Sequence, residues 1–288
     1  MEPYLYLVPA IVLTGTWVYW PMVRTLQLSF YEWNLLPTRE PLWLGVSNYA
    51  QLLRQPEVPR AIVNTLLYVV GLLPFTIALP VVLALALNLI RGRMAGFYRA
   101  IIFLPVLMAP VVSAIVWKWI MNPDSGILNA VLEAVGIGAV DWFRTPNLAL
   151  WAIAIITGWK LLGFSTLIVS AGLTAIHREY LEAAVIDGAS SWQRMLYVVT
   201  PLLSPTLVFM LLLTVLLSGQ LTFPIINALT QGGPRDATTN VYYLLWQFGF
   251  ESFNVGLSSA AGVLFFGVFL VVAVGLLRLA ERLSFYDA

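Results

Sequence analysis

Cysteine is absent from the chain, which excludes disulfides, thiolate nucleophiles and cysteine-based structural zinc sites. Histidine occurs once, at His177, and no carboxylates cluster inside an apolar run, so neither a metal site nor an intramembrane acid–base constellation can be assembled. Charge is scarce as well. Charged residues make up 10% of the chain, against about 25% in an ordinary soluble domain. Fifteen basic residues face fourteen acidic ones for a net charge of +1, which gives no broad positive field for nucleic acid. No G-x-x-x-x-G-K-[ST] phosphate loop occurs, so the amide cradle and lysine that hold nucleotide phosphates are missing.

What fills the chain instead is apolar: 60% of its 288 residues are hydrophobic. A helix needs about 20 apolar residues to cross the hydrocarbon core. Six segments approach that length, roughly Leu5 to Leu28, Ala61 to Ile90, Ala100 to Met121, Leu148 to Ala175, Pro201 to Phe223 and Gly256 to Leu277. The first lacks a basic leader and a small-residue cleavage site, and is expected to be a retained span rather than a signal peptide. The expected fold class is therefore all-α, a polytopic membrane protein with about six transmembrane helices forming one domain over residues 1–288.

Short arginine-rich loops stay cytoplasmic. Arg91, Arg93 and Arg99 lie in one tight loop without an acid, between the second and third segments. Alternation from that loop places both termini and the 176–200 loop in the cytoplasm. Arg39, Arg54, Arg60, Arg144 and Arg235 then fall outside.

The 176–200 loop is closely punctuated. Ile176, Tyr180 and Ala184 recur at helical spacing, which predicts an amphipathic helix continuing from span four. It should end near Asp187-Gly188, where glycine tolerates the left-handed conformation. Ser190 followed by Gln193 has the form of a capping box, so a short second helix is expected there. Thr200 before Pro201 predicts a clean start for span five.

At these residues the chain resembles the inner-membrane permeases of binding-protein-dependent ABC importers. Their cytoplasmic signature reads E-A-A, three residues, G, nine residues, I-x-L-P. Here it stands as Glu182-Ala183-Ala184, then Gly188, then Val198-Val199-Thr200-Pro201. The resemblance covers nearly the whole chain, including Thr230-Gln231-Gly232-Gly233-Pro234. It implies that the loop is a cytoplasmic coupling helix that docks on a separate ATPase subunit through Glu182, Ala183, Ala184, Asp187, Gly188, Ala189 and Pro201. It further implies two ATPase subunits, a second permease subunit and an extracytoplasmic solute-binding protein, in a prokaryotic inner membrane. ATP and magnesium would be used by the partner ATPase, and no cofactor or metal by this chain. Gly232, Gly233 and Pro234 are the expected contacts of the binding protein.

The stretch from Thr230 to Tyr286 resembles the carbohydrate branch, including the glycerol-3-phosphate permeases. That implies a sugar, polyol or glycerol-phosphate-type solute and no catalytic residues. Lys160, near the middle of span four, is expected to face a cavity or a partner rather than lipid. Gln220, Thr222 and Asn227 are further candidates for the translocation path. The alternative, an ion-coupled secondary transporter, would also suit six apolar spans with a buried lysine, but it leaves the Glu182 to Pro201 spacing unexplained.

Overall fold

Prolines decide where the long helices of this protein deform. The computed structural model describes residues 2–34, 36, 40–90 and 92–283. Arg39, Arg91 and Tyr286 lie outside the described residues, as do the side chains of Glu281 and Arg282. The described elements are α1 (Tyr6–Leu28), β1 (Tyr31–Glu32), β2 (Leu42–Trp43), α2 (Ser47–Arg54) and α3 (Glu57–Leu89). They continue with α4 (Arg93–Leu107), α5 (Pro110–Ile120), α6 (Ile127–Ala134) and α7 (Pro146–Ala175). The order ends with α8 (Arg178–Ile186), α9 (Ser191–Leu229), α10 (Val241–Trp246) and α11 (Val255–Leu283).

Among the described residues, five helices are long and apolar enough to cross a membrane, or six if α4 and α5 together make one span. The third predicted span is thus not straight: α4 and α5 meet at 102°. Pro110 supplies no N–H to the carbonyl of Val106 and pushes Ala109 out of the helical region. Met108 and Ala109 are accordingly extended, with ψ of 137° and 140°.

Three π turns interrupt longer helices: Gly15–Tyr19 in α1, Pro74–Ala78 in α3 and Met195–Val199 in α9. Their spacing has one cause. Pro21, Pro80 and Pro201 each lack an N–H for the carbonyl four residues earlier and crowd it with the ring. Those carbonyls belong to Trp17, Thr76 and Tyr197, the middle residue of each π turn. Widening the turn makes room for the ring without ending the helix.

The predicted start of span five at Thr200 is corrected by the same finding. α9 runs unbroken from Ser191 to Leu229, and Thr200 sits inside it, its hydroxyl donating to the Met195 carbonyl at 2.8 Å instead of capping. The helix expected to continue from span four also differs. α7 stops at Ala175, Ile176 and His177 are extended, and α8 starts afresh at Arg178.

Contacts group the chain into two compact units, residues 2–59 with 241–270 and residues 60–240 with 271–283. In the first, Asn48 donates to the carbonyls of Ser29 and Tyr31, both at 2.9 Å. This fastens α2 to the two-residue hairpin in which Tyr31 faces Trp43. Nothing but hydrogen fits at Gly256, where a Cβ would meet the Tyr31 carbonyl at 2.0 Å.

The second unit is built on α7, whose most apolar stretch is 56% buried, the largest share of any candidate span. Ala149, Ala152, Ala154, Gly158 and Gly163 are buried along it, and such small residues let apolar helices approach closely. Ala84 of α3, Val169 of α7 and Leu203 of α9 form a buried cluster.

Candidate coupling elbow and outer loop

α8 turns into α9 through four residues, each with a defined task. The Gly188 amide donates to the Val185 carbonyl at 3.0 Å and the Ala189 amide to the Ala184 carbonyl at 2.9 Å. Together with φ of +76° at Gly188, this is the paired bonding of a Schellman helix end. The next residue opens the following helix. Gln193 N donates to Ser190 Oγ at 3.3 Å, and Ser190 N donates to Gln193 Oε1 at 2.8 Å. The glycine turn and the capping box read from the sequence are both present.

The elbow offers an exposed face. Glu182, Ala183, Asp187 and Gly188 are exposed, Ala189 is half-buried, and Ala184 is buried. α8 packs on the first turns of α9. Among the described residues the Glu182 carboxylate has no ion-pair or hydrogen-bond partner. On the same elbow Ile186 is 85% exposed and Trp192 72%, more apolar area than an isolated loop in water would present. A groove of 280 Å³ lies between Asp187, Gly188, Ala189, Gln193, Tyr197 and Val198. Pro201, half-buried, is the cause of the π turn beneath that groove rather than a wall of it.

Removing the Ser190 hydroxyl tests the helix start. Ser190→Ala is expected to destabilise the first turn of α9 by about 1 kcal/mol. Amide exchange at Gln193 should speed up about fivefold, which hydrogen-exchange mass spectrometry over that peptide would register.

At the other end of α9 stands the Thr230–Thr239 loop. Gln231, Gly232, Arg235 and Asp236 all have positive φ, between 49° and 82°, a conformation that needs outside support. The support comes from α3. Asn64 donates to the carbonyls of Asp236 at 2.9 Å and Thr239 at 2.8 Å, Tyr68 to that of Thr238 at 3.0 Å, and Arg60 to that of Arg235 at 2.7 Å. Gly232 is buried, and Gly233 and Pro234 are half-buried. Pro234 borders a cavity of 440 Å³ shared with Arg60 and Trp151, and another of 520 Å³ shared with Lys118, Asp124 and Arg144.

The four residues expected along a translocation path are not gathered in one place. Thr222 is fully buried, donates to the Ser218 carbonyl and accepts from Asn240, both at 2.8 Å. Gln220 and Asn227 are exposed. Lys160 donates to the carbonyl of Pro105 at 3.1 Å and also to that of Met108. Its ammonium therefore sits on the free carbonyl end of α4, where a cation is favoured. Gly163, one turn further on, lets α4 come that close, since a Cβ there would meet the Ile102 carbonyl at 2.3 Å.

Asn64, Tyr68 and Asn240 were missed from the sequence. Asn64 carried a usable signal: an amide inside a long apolar run must find partners.

Comparison with known proteins gives a consistent result. The profile of a family described as the inner membrane component of binding-protein-dependent transport systems matches residues 44–284. An sn-glycerol-3-phosphate transport system permease protein, UgpA, of Brucella abortus is 32% identical over 99% of this chain and 96% of its own. The protein of that name from Agrobacterium fabrum is 31% identical with the same coverage. Among solved structures, a bacterial ABC transporter involved in import of the acidic polysaccharide alginate is similar with a TM-score of 0.85. It shows 24% identity and covers 98% of this chain and 96% of that one. A complex of the bacterial alginate transporter with an alginate pentasaccharide-bound periplasmic protein gives a TM-score of 0.84 at 22% identity, over 100% of this chain and 96% of that one. These two likenesses establish the fold.

Proposed function

The chain belongs to the family of inner membrane components of binding-protein-dependent transport systems, and we propose that it conducts a sugar, polyol or glycerol-phosphate-type solute into the cytoplasm, powered by ATP hydrolysed in separate subunits. It is a transport subunit and an ABC importer permease. The observation that carries the mechanical part is the elbow at Gly188. A helix end and a helix start, each closed by a pair of hydrogen bonds, present an unpaired carboxylate and exposed apolar side chains to a partner.

In this reading two ATPase subunits supply the force, and one of them receives Glu182, Ala183, Ala184, Asp187, Gly188 and Ala189. Both termini and the elbow face the cytoplasm, where Arg93 and Arg99 also lie, in line with the preference of short basic loops. The described units act together as a single permease domain beside a second permease subunit. On the outer side the solute-binding protein meets the Gly232-Gly233-Pro234 turn, which α3 holds in one conformation. The solute class is supported by the names of the relatives that match along almost the entire chain.

Glu182 is the charged contact in this scheme, because a carboxylate facing an arginine makes a strong, directional pair. Glu182→Lys, in the complete complex reconstituted with its binding protein, should reduce substrate-stimulated ATP hydrolysis by about tenfold or more. That figure corresponds to about 1.4 kcal/mol of lost coupling, while insertion and assembly stay unchanged. Uptake of labelled sn-glycerol 3-phosphate and of neutral sugars into ATP-loaded vesicles would identify the solute. Transport by this polypeptide alone along an ion gradient would overturn the proposal.

A further inference from the structure

Four hydroxyls converge where the π turn of α3, the middle of α7 and the middle of α9 meet. Thr214 and Ser218, one turn apart on α9, are 5% and 0% exposed, Thr76 is 3% and Ser165 of α7 is 0%. They line a cavity of 30 Å³ together with Leu72, Met210 and other apolar side chains.

The hydrogen bonding inside this cluster is incomplete. Ser165 Oγ is buried and has no partner. Thr214 Oγ1 lies 2.7 Å from the Met210 carbonyl and 2.9 Å from Thr76 Oγ1, which in turn lies 3.0 Å from the Leu72 carbonyl, so both threonine protons have acceptors and the Thr214 oxygen keeps a lone pair able to accept. The bond from Ser218 Oγ to the Val215 carbonyl is long, at 3.3 Å. Pro80 offers no N–H to the carbonyl of Thr76. A buried hydroxyl left unpaired costs about 1–3 kcal/mol, and no lipid can supply the missing partner.

We propose that this cavity binds one water molecule, held by Ser165, Thr214 and Ser218. The size fits: a water needs at least about 10–15 Å³ of such space and two to four polar partners. Water accepts from Ser165, whose proton has no other taker, and donates to the hydroxyl oxygens of Thr214 and Ser218. The water then joins α7 to α9 by one exchangeable link, and α3 is attached to it through the contact of Thr76 with Thr214. Such a link can change partners when α9 shifts against α7, whereas a direct hydroxyl pair would break. The site stands independently of the solute and of the coupling partner.

The test uses Met210, which lines the cavity and is 2% exposed. Radiolytic hydroxyl labelling of the assembled transporter in oxygen-18 water marks side chains next to bound water, whether or not they reach the surface. Wild-type Met210 should acquire labelled oxygen about tenfold faster than in Ser165→Ala combined with Thr214→Val, which removes two of the three hydroxyls that hold the water and leaves it fewer than the two to four polar partners it needs. Equal rates in the two proteins, or no label on wild-type Met210, would overturn the proposal. Should the double variant fail to assemble, a density map of the wild-type complex decides. A peak within hydrogen-bonding distance of Ser165 Oγ and Thr214 Oγ1 supports the site, and an empty cavity refutes it.

Discussion

Gly188→Val should uncouple the transporter while leaving its fold in the membrane. A Cβ added at Gly188 meets nothing within 4 Å, so the substitution creates no clash, and its whole effect falls on the backbone. A residue with a Cβ at φ of +76° is disfavoured by about 1–2 kcal/mol, and a β-branched one more so. The elbow would open toward ordinary helical values. That redirects α8 and separates the Ala189 amide from the Ala184 carbonyl. The population of the bonded elbow should fall about 5- to 30-fold, and substrate-stimulated ATP hydrolysis and uptake with it. Gly188→Asn, which tolerates the left-handed region, should recover most of the activity. Full coupling in Gly188→Val would show that the elbow transmits nothing.

The second large effect is expected at Lys160. Lys160→Met keeps the length and apolar stem of the side chain but removes the donor for the carbonyls of Pro105 and Met108. The Met108 carbonyl would then lack its lysine donor, at a cost of about 1–3 kcal/mol, and the Pro105 carbonyl would keep only the Met108 amide at 3.3 Å; both stand at the only sharp bend among the described candidate spans. The 102° corner between α4 and α5 should relax, with a lower melting temperature and slower transport of the assembled complex. Lys160→Gln retains two N–H groups and should preserve the corner better. If Gln and Met behaved alike in stability while both lost transport, the ammonium would be acting on the solute and not on the bend.

These two sites differ in how legible they were in the sequence. Gly188, Ser190 and Gln193 could be read because capping and turn chemistry are local: the bonds that decide them reach at most five residues along the chain. The corner at Met108 could not be read in the same way. Pro105 and Pro110 announced some distortion, but its stabilising donor comes from Lys160, 52 and 55 residues away. Proline misled at Pro201, where a helix start was expected. There the π turn at Met195–Val199 absorbs the ring and the helix continues through it. The Thr230–Thr239 loop was recognisable by its glycines, whereas its fastening to Asn64 and Tyr68 joins positions some 170 residues apart.

The continuity of α9 has a mechanical meaning. Its 39 residues make a rod of about 58 Å at 1.5 Å per residue, helical from Ser191 to Leu229 with one widened turn at Met195–Val199. A thrust delivered beside Gly188 would therefore arrive at the far end with little slack, much as a pushrod carries the stroke of a cam. The receiving end is the Thr230–Thr239 loop, stapled to α3, so the same stroke is handed on to a second helix.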